Sequence, residues 1–307
     1  MPRLTLILIF ALCAACLQGQ TLRMIAWNVE GDDADLETVG RVVAERQGID
    51  LWGFSEVPSQ AWFSRFLIEA AAGETGAKFE GVLGHTGGGD RLAIVYNSLK
   101  YELVEVEELS HINIGGNVRA PLVAHLRLRE NGKEFKFVVN HLYRGNNQAR
   151  HQQSTLLNAW AQQQLVPVIT AGDFNYDWAV SNGDSNHDRG YDNLTADGVF
   201  VWVRPPKLVR TQCSSFDSVL DFFFVSGEAK QWKNTSEILF ADDAAYCPDN
   251  NLRSDHRPLL ATFTIAPVTP EIPAEAPTRA QLLKMIAELE TKLGELKRLV
   301  EKLPNNN

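Results

Sequence analysis

The residues best equipped for chemistry lie in two short motifs, VPVITAGDFN at 166–175 and SDHRP at 254–258. The first is an apolar run ending in Gly-Asp-Phe-Asn, the pattern of a buried strand that delivers an acid and an amide at its carboxyl edge. Asp173 and Asn175 are two apart, so on an extended chain they face one side while Phe174 turns into the core. Hard oxygen ligands beside a neutral donor suit a divalent cation and a phosphate. The second motif sets Asp255 against His256, an acid next to an imidazole, the make-up of a general base and its orienting partner.

Further polar side chains stand where strands are expected to end. Residues 21–27 (TLRMIAW) read as a strand, and Asn28 is the first polar group beyond it, as a turn residue or a site residue. Residues 35–47 have helical periodicity, with Asp35 as N-cap and Gly48 as stop. A strand at 49–54 leads to Glu56, just ahead of a helix at 60–72. That carboxylate is either a helix-start charge or a metal ligand. Strands are expected at 78–83, 91–96, 101–106, 121–128 and 134–139, with a glycine hairpin loop at 87–89 followed by Asp90. Asn140-His141 closes the last of these. A polar loop, 143–153, carries Arg144, Arg150 and His151 into a helix at 154–164, solvated yet placed to touch an anion. Residues 176–195 read as a long irregular loop, and strands follow at 199–203, 219–225, 238–240 and 259–265. Asp221 sits in a strand otherwise made of Phe222, Phe223, Phe224 and Val225, where an acid is costly unless paired.

The chain has 307 residues, 45% of them hydrophobic, with apolar runs spaced regularly from 22 to 265, which favours one large domain. A net charge of −9 argues against tight non-specific binding to a polyanion while allowing a local basic patch. Residues 1–19 read as a secretory leader: Arg3, an apolar run at 4–12, then Ala14-Ala15. Lipidation at Cys16 is the alternative, disfavoured by Cys13 where an aliphatic residue belongs. The expected location is therefore secreted or periplasmic. Export leaves Cys213 and Cys247 as an even pair in an oxidising compartment, expected to form a disulfide rather than two buried thiols. Residues 266–278 form a Pro-rich linker. Beyond it Leu282, Ile286, Leu289, Leu293, Leu296, Val300 and Leu303 step in heptads over 279–304, a coiled-coil helix expected to self-associate, with docking on the protein's own body as the alternative.

The ordered set Trp27-Asn28, Ser55-Glu56-Val57, Asn140-His141-Leu142, Gly172-Asp173-Phe174-Asn175, Asp221 and Ser254-Asp255-His256-Arg257-Pro258 resembles the endonuclease/exonuclease/phosphatase superfamily, deoxyribonuclease I-like enzymes included. The resemblance covers about 22–265 and rests on six separated motifs in one order. It implies a four-layer α/β sandwich, two packed mixed β-sheets flanked by helices, over a domain at 20–265. It implies Glu56 as the main ligand of Mg²⁺ or Mn²⁺ (Ca²⁺ is a further option), with Asn28 and Asp255 close by. It also implies that Asp173 and Asn175 position water and phosphate, that Asp255 and His256 close the site, that Asp221 orients an imidazole, and that His141 donates to the phosphoryl oxygen or assists the leaving group. By residue chemistry, Asp173 or His256 can deprotonate the water. Asp90 stands where such enzymes keep an acid beside the first His, and Arg119-Ala120-Pro121 resembles an Arg-x-Pro whose guanidinium grips phosphate. Arg144 and Arg150 join Arg119 as candidate phosphate contacts.

Three functions fit these residues. The favoured one is a secreted, metal-dependent phosphodiesterase acting on nucleic acid. The second is a phosphatase or lipid phosphodiesterase of the same fold, for which Trp178 and Trp202 are the candidate exposed aromatics. The third, a non-catalytic binding protein, predicts missing ligands, and none of the core positions is missing.

Overall fold

The computed structural model describes residues 19–265, apart from 117, 214 and 215, together with seven residues between 283 and 294. The expected leader up to residue 18, the linker and most heptad positions lie outside the described residues. The C-terminal unit, Val268–Asn307, is separate from the body; its described residues are helical and exposed, Leu283 and Ile286 among them.

The body runs β1 (Gln20–Asn28), α1 (Leu36–Ala44), β2 (Leu51–Val57), α2 (Gln60–Ala72), β3 (Phe79–Leu83), β4 (Arg91–Asn97), β5 (Tyr101–Glu108), β6 (Leu122–Leu128) and β7 (Glu134–His141). It continues with α3 (Asn147–Gln162), β8 (Val168–Ala179), α4 (Arg189–Thr195), β9 (Phe200–Trp202), β10 (Ser218–Ser226), β11 (Lys233–Ile238) and β12 (Leu259–Ile265). Two six-stranded sheets form, in the orders β11-β12-β1-β2-β4-β3 and β5-β6-β7-β8-β10-β9. The pairs β1–β2 and β7–β8 are parallel and the other pairs antiparallel, so both sheets are mixed.

The period of two along each strand sorts side chains into layers. Leu22, Met24 and Ala26 of β1 join Phe135, Phe137 and Val139 of β7, Ile169 and Ala171 of β8, and Phe223 and Val225 of β10 in the core between the sheets. The alternate residues Ile25 and Trp27 face α1 and α2. Phe174, Tyr176, Phe222 and Phe224 make up the other outer layer with Leu157 and Trp160 of α3. The expected four-layer sandwich is the observed one.

Helix starts follow their caps. Asp35 accepts from the Thr38 amide at 2.8 Å and opens α1, and Ser59 caps α2 through Trp62. Three expectations are corrected. The polar stretch read as a loop is largely helix: Asn146 caps Ala149 at 3.0 Å and α3 begins at Asn147, because a capped polar first turn carries no apolar periodicity to announce it. The segment from 176 is irregular only over 180–188, since β8 runs on to Ala179 and α4 covers Arg189–Thr195. The penultimate strand lies at Lys233–Ile238 rather than 238–240.

Candidate active site

The inter-sheet rows of side chains end in polar groups at one mouth of the sandwich. Asn28 continues the row Leu22-Met24-Ala26, His141 the row Phe135-Phe137-Val139, Asp173 the row Ile169-Ala171, and Asp221 the row Phe223-Val225. Asp221 and Asp173 are direct cross-strand partners. All four are buried, as are Asn175 and His256. Gly172 is required just before Asp173: its φ is +128°, and a Cβ there would lie 2.1 Å from the Asn140 carbonyl oxygen. Glu56 is delivered differently. The β2–β4 register shifts between Phe54 and Val57, and Glu56 takes φ +59° at that irregularity, which re-aims its carboxylate. Asn175 is also left-handed, at φ +54°.

Two clusters result. Glu56, Asp90 and His141 each bring one ligand atom within 4.8 Å of the others, and so do Asp173, Asp221 and His256. His141 bridges them: Nδ1 is 3.6 Å from Glu56 Oε1 and 3.7 Å from Asp90 Oδ1, while Nε2 is 3.5 Å from Asp173 Oδ2. Asp90 Oδ1 and His141 Nδ1 are buried without a hydrogen-bond partner. Partnerless buried polar atoms are costly, and the Glu56 and Asp90 carboxylates fit a hard divalent cation that would engage Asp90 Oδ1, leaving His141 Nδ1 as a donor. Asn28 has a different task from the expected ligand role. Its Nδ2 donates to Glu56 Oε1 (2.8 Å) and Asp173 Oδ2 (3.3 Å), while its Oδ1 accepts from the Glu30 amide, so it ties the two clusters together.

His256 is held by Asp221, whose Oδ2 lies 2.8 Å from Nδ1. The sequence neighbour Asp255 is not that partner: its Oδ1 is 3.7 Å from Nε2, and its Oδ2 accepts from Gln212 at 2.8 Å. Asp255 joins neither cluster. The ring's backbone is fixed by Ser254, which accepts from the His256 amide and donates to the Asn28 carbonyl, and by Trp27, which donates to the His256 carbonyl. Burial works against a charged His256 ring, but Asp221, Asp173 and Asp255 outweigh it and raise its pKa to about 10. Burial, then Asp221 and Glu56, push Asp173 up to about 7. Burial also keeps His141 well below its ordinary value, with Arg119, His256 and Arg144 reinforcing it. The site thus carries one cationic and one neutral imidazole around a carboxylate poised near neutrality.

The arginines divide. Arg119 pairs with Asp90 and donates to the His141 carbonyl, bracing the first cluster. Arg144 forms no ion pair among the described residues; its Nη2 lies 3.5 Å from Gln212 Oε1. Arg150 is not solvated as expected but 2% exposed. It donates to Asp188 (2.6 Å), to Asn147 and to the carbonyls of Tyr143 and Arg144, and therefore braces the loop that carries Arg144. His151 shares the same Asp188 oxygen at 3.0 Å. Trp178 and Trp202, the two candidate aromatics of the lipid reading, are buried against Tyr191 and each other. The Cys213–Cys247 disulfide is present, with Cα atoms 5.2 Å apart.

Two residues escaped sequence reasoning. Glu30, at φ +48°, accepts the Asp255 amide at 2.6 Å, and burial and then Asp255 raise its pKa to about 7. Its only signal was its place two residues beyond Asn28. Gln212 bridges to His256 through an isolated antiparallel β-bridge, and no local pattern marks it.

The model of the Endonuclease/Exonuclease/phosphatase family matches residues 25–256. No curated protein sequence matches the chain. Among solved structures, an endonuclease/exonuclease/phosphatase family protein from Bacteroides thetaiotaomicron is similar at 19% identity and TM-score 0.62, covering 81% of this chain and 99% of that one. A mannosyl-6-phosphatase from the same organism is similar at 20% identity and TM-score 0.57, covering 78% and 98%. D. rerio TDP2 complexed with single strand DNA product is similar at 18% identity and TM-score 0.59, covering 80% and 99%. With the family model spanning both clusters, the chain belongs to the endonuclease/exonuclease/phosphatase family of phosphoester hydrolases.

Proposed function

We propose that this phosphoesterase is an exported, divalent-metal-dependent phosphodiesterase acting on nucleic acid. The observation that carries the reading is the meeting of the Glu56–Asp90–His141 cluster, in which Asp90 Oδ1 and His141 Nδ1 lack a hydrogen-bond partner, with the Asp221–His256 pair across Asp173. Glu56 and Asp90 would hold Mg²⁺ or Mn²⁺, which when bound supplies charge to offset that on the phosphoryl oxygens. Asp173, with its pKa near neutrality, takes the proton of the attacking water, and Asn175 fixes the Asp173 side chain through its amide at 2.9 Å. His256 serves as a cationic donor to a phosphoryl oxygen, since Asp221 keeps it protonated. His141 Nδ1, without a protein partner, meets a phosphoryl or leaving-group oxygen. Arg144, which forms no ion pair among the described residues, is the phosphate contact at the rim.

Nucleic acid is supported by the uncommitted Arg144 and by the fold shared with a TDP2 that carries a DNA product. A phosphatase is the second reading, favoured by the net charge of −9 and by the fold shared with a mannosyl-6-phosphatase. Incubating the protein with plasmid DNA, sphingomyelin and a soluble inositol phosphate, each with Mg²⁺ and with EDTA, separates these. Mg²⁺-dependent nicking of the plasmid is the expected result, and release of phosphate from the inositol phosphate alone would overturn the nuclease reading. Export is supported by the leader-like residues 1–19 and the disulfide. A mature protein beginning near Gln20 is expected on export, and retention of residues 1–19 would refute it. Self-association through the C-terminal heptads is tested by sedimentation with and without 267–307, identical monomeric masses being the refuting outcome.

A further inference from the structure

We infer that Gln212 is a positioning residue that presents Arg144 to a substrate oxyanion, an inference that rests on the phosphoesterase site described above. Gln212 is 6% exposed and its amide is used at both ends. Nε2 donates to Asp255 Oδ2 at 2.8 Å, and Oε1 faces Arg144 Nη2 at 3.5 Å. The acid on one side and the cation on the other determine which way the amide is turned. Its backbone is held too. The Cys213 amide donates to the Asp255 carbonyl (2.8 Å), the Arg257 amide to the Thr211 carbonyl (2.7 Å), and the adjacent Cys213 is bonded to Cys247.

Arg144 is held at its root. Arg150, clamped by Asp188, takes both the Tyr143 and Arg144 carbonyls, and Gln153 accepts the Tyr143 amide at 2.9 Å. At its tip the guanidinium has, among the described residues, the long contact to Gln212, at the outer edge of hydrogen-bonding distance. A firmly anchored neutral acceptor thus keeps a cation aimed at the mouth without neutralising it. An arriving phosphate oxygen, being charged, makes the stronger bond and displaces that contact. Among the arginines discussed, Arg119 is committed to Asp90 and Arg150 to Asp188, which leaves Arg144 as the one with charge to give.

The test uses the full chain and two probes. Inorganic phosphate is titrated calorimetrically into wild type, Gln212→Leu, Arg144→Gln and the double variant; bis(4-nitrophenyl) phosphate and 4-nitrophenyl phosphate are hydrolysed with Mg²⁺. Arg144→Gln is expected to weaken phosphate binding about tenfold or more, and Gln212→Leu about fivefold. The double variant should match Arg144→Gln alone, since Gln212 acts through that side chain. For the diester, Gln212→Leu should raise KM by a similar factor with kcat nearly unchanged. Gln212→Met, closer in shape, serves if the leucine variant does not fold. Unchanged phosphate affinity in the Gln212 variants, multiplicative losses in the double variant, or no phosphate binding by wild type would each overturn the inference. Coupled phosphate binding without hydrolysis of either ester would leave it standing and sink the hydrolase reading; hydrolysis without coupling would do the reverse.

Discussion

Replacing Asp221 by Asn removes one charge from the site while keeping its shape. In the wild type, His256 rises from 6.5 to about 10 although full burial opposes it. That rise corresponds to on the order of 5 kcal/mol in favour of the charged ring, since each unit is about 1.4 kcal/mol. Three acids share it, but only Asp221 is within hydrogen-bonding distance, at 2.8 Å; Asp173 and Asp255 stand at 3.8 and 3.7 Å. Asp221 is the nearest of the three and the largest cause of the rise, so the variant should carry a lower His256 pKa. The assay is NMR titration of the His256 ring, in parallel with kcat/KM against pH. The ring should titrate at lower pH in Asp221→Asn, and kcat/KM at neutral pH should fall by about 10² or more as the imidazole loses its orienting acceptor. The sign for stability follows. A histidine whose folded pKa is raised stabilises the fold fully below its unfolded value of 6.5 and loses that contribution as pH rises through about 10. The variant should therefore unfold more easily than wild type at pH 6 and approach it at high pH. An unshifted His256 titration, or unchanged kcat/KM, would refute the reasoning.

Three other outcomes are expected. Glu56→Gln should weaken Mg²⁺ binding measured by calorimetry and cut turnover by about 10² or more, with its melting temperature close to wild type, because the Glu56 side chain is 31% exposed; full activity would remove it from the site. Arg150→Met should destabilise the fold by about 2–3 kcal/mol in urea unfolding, since the Asp188 carboxylate loses its cation and keeps His151 and the Gly190 amide; a loss below about 1 kcal/mol would mean the pair is dispensable. Replacing both Cys213 and Cys247 by Ala, at a separation of 34 residues, should cost about 4 kcal/mol in the same assay through restored freedom of the unfolded chain; no change would refute that origin.

Much of the architecture was legible because it follows from periodicity. Alternation along β1, β7, β8 and β10 buries both faces, and its continuation past the apolar rows places Asn28, His141, Asp173 and Asp221 at one mouth. The helix at 60–72 was legible to the residue, just after Pro58. What was not legible depends on partners remote in the chain. Arg150 looks solvated until Asp188, 38 residues on, closes over it. Asp221 is expected from sequence to orient an imidazole, but that the ring is His256, 35 residues on and otherwise matched in sequence with its neighbour Asp255, depends on the fold. The φ of +59° that re-aims Glu56 belongs to a non-glycine residue, so no residue type announces it. Gln212 acquires meaning only between Asp255 and Arg144.

The most direct measurement is release of 4-nitrophenol from bis(4-nitrophenyl) phosphate by purified wild type, Glu56→Gln and Asp173→Asn, each with Mg²⁺ and with EDTA. The two clusters acting as one metal-dependent centre predict turnover in wild type with Mg²⁺ and essentially none in EDTA or in either variant. Turnover that persists in EDTA, or in a variant lacking either carboxylate, would contradict it.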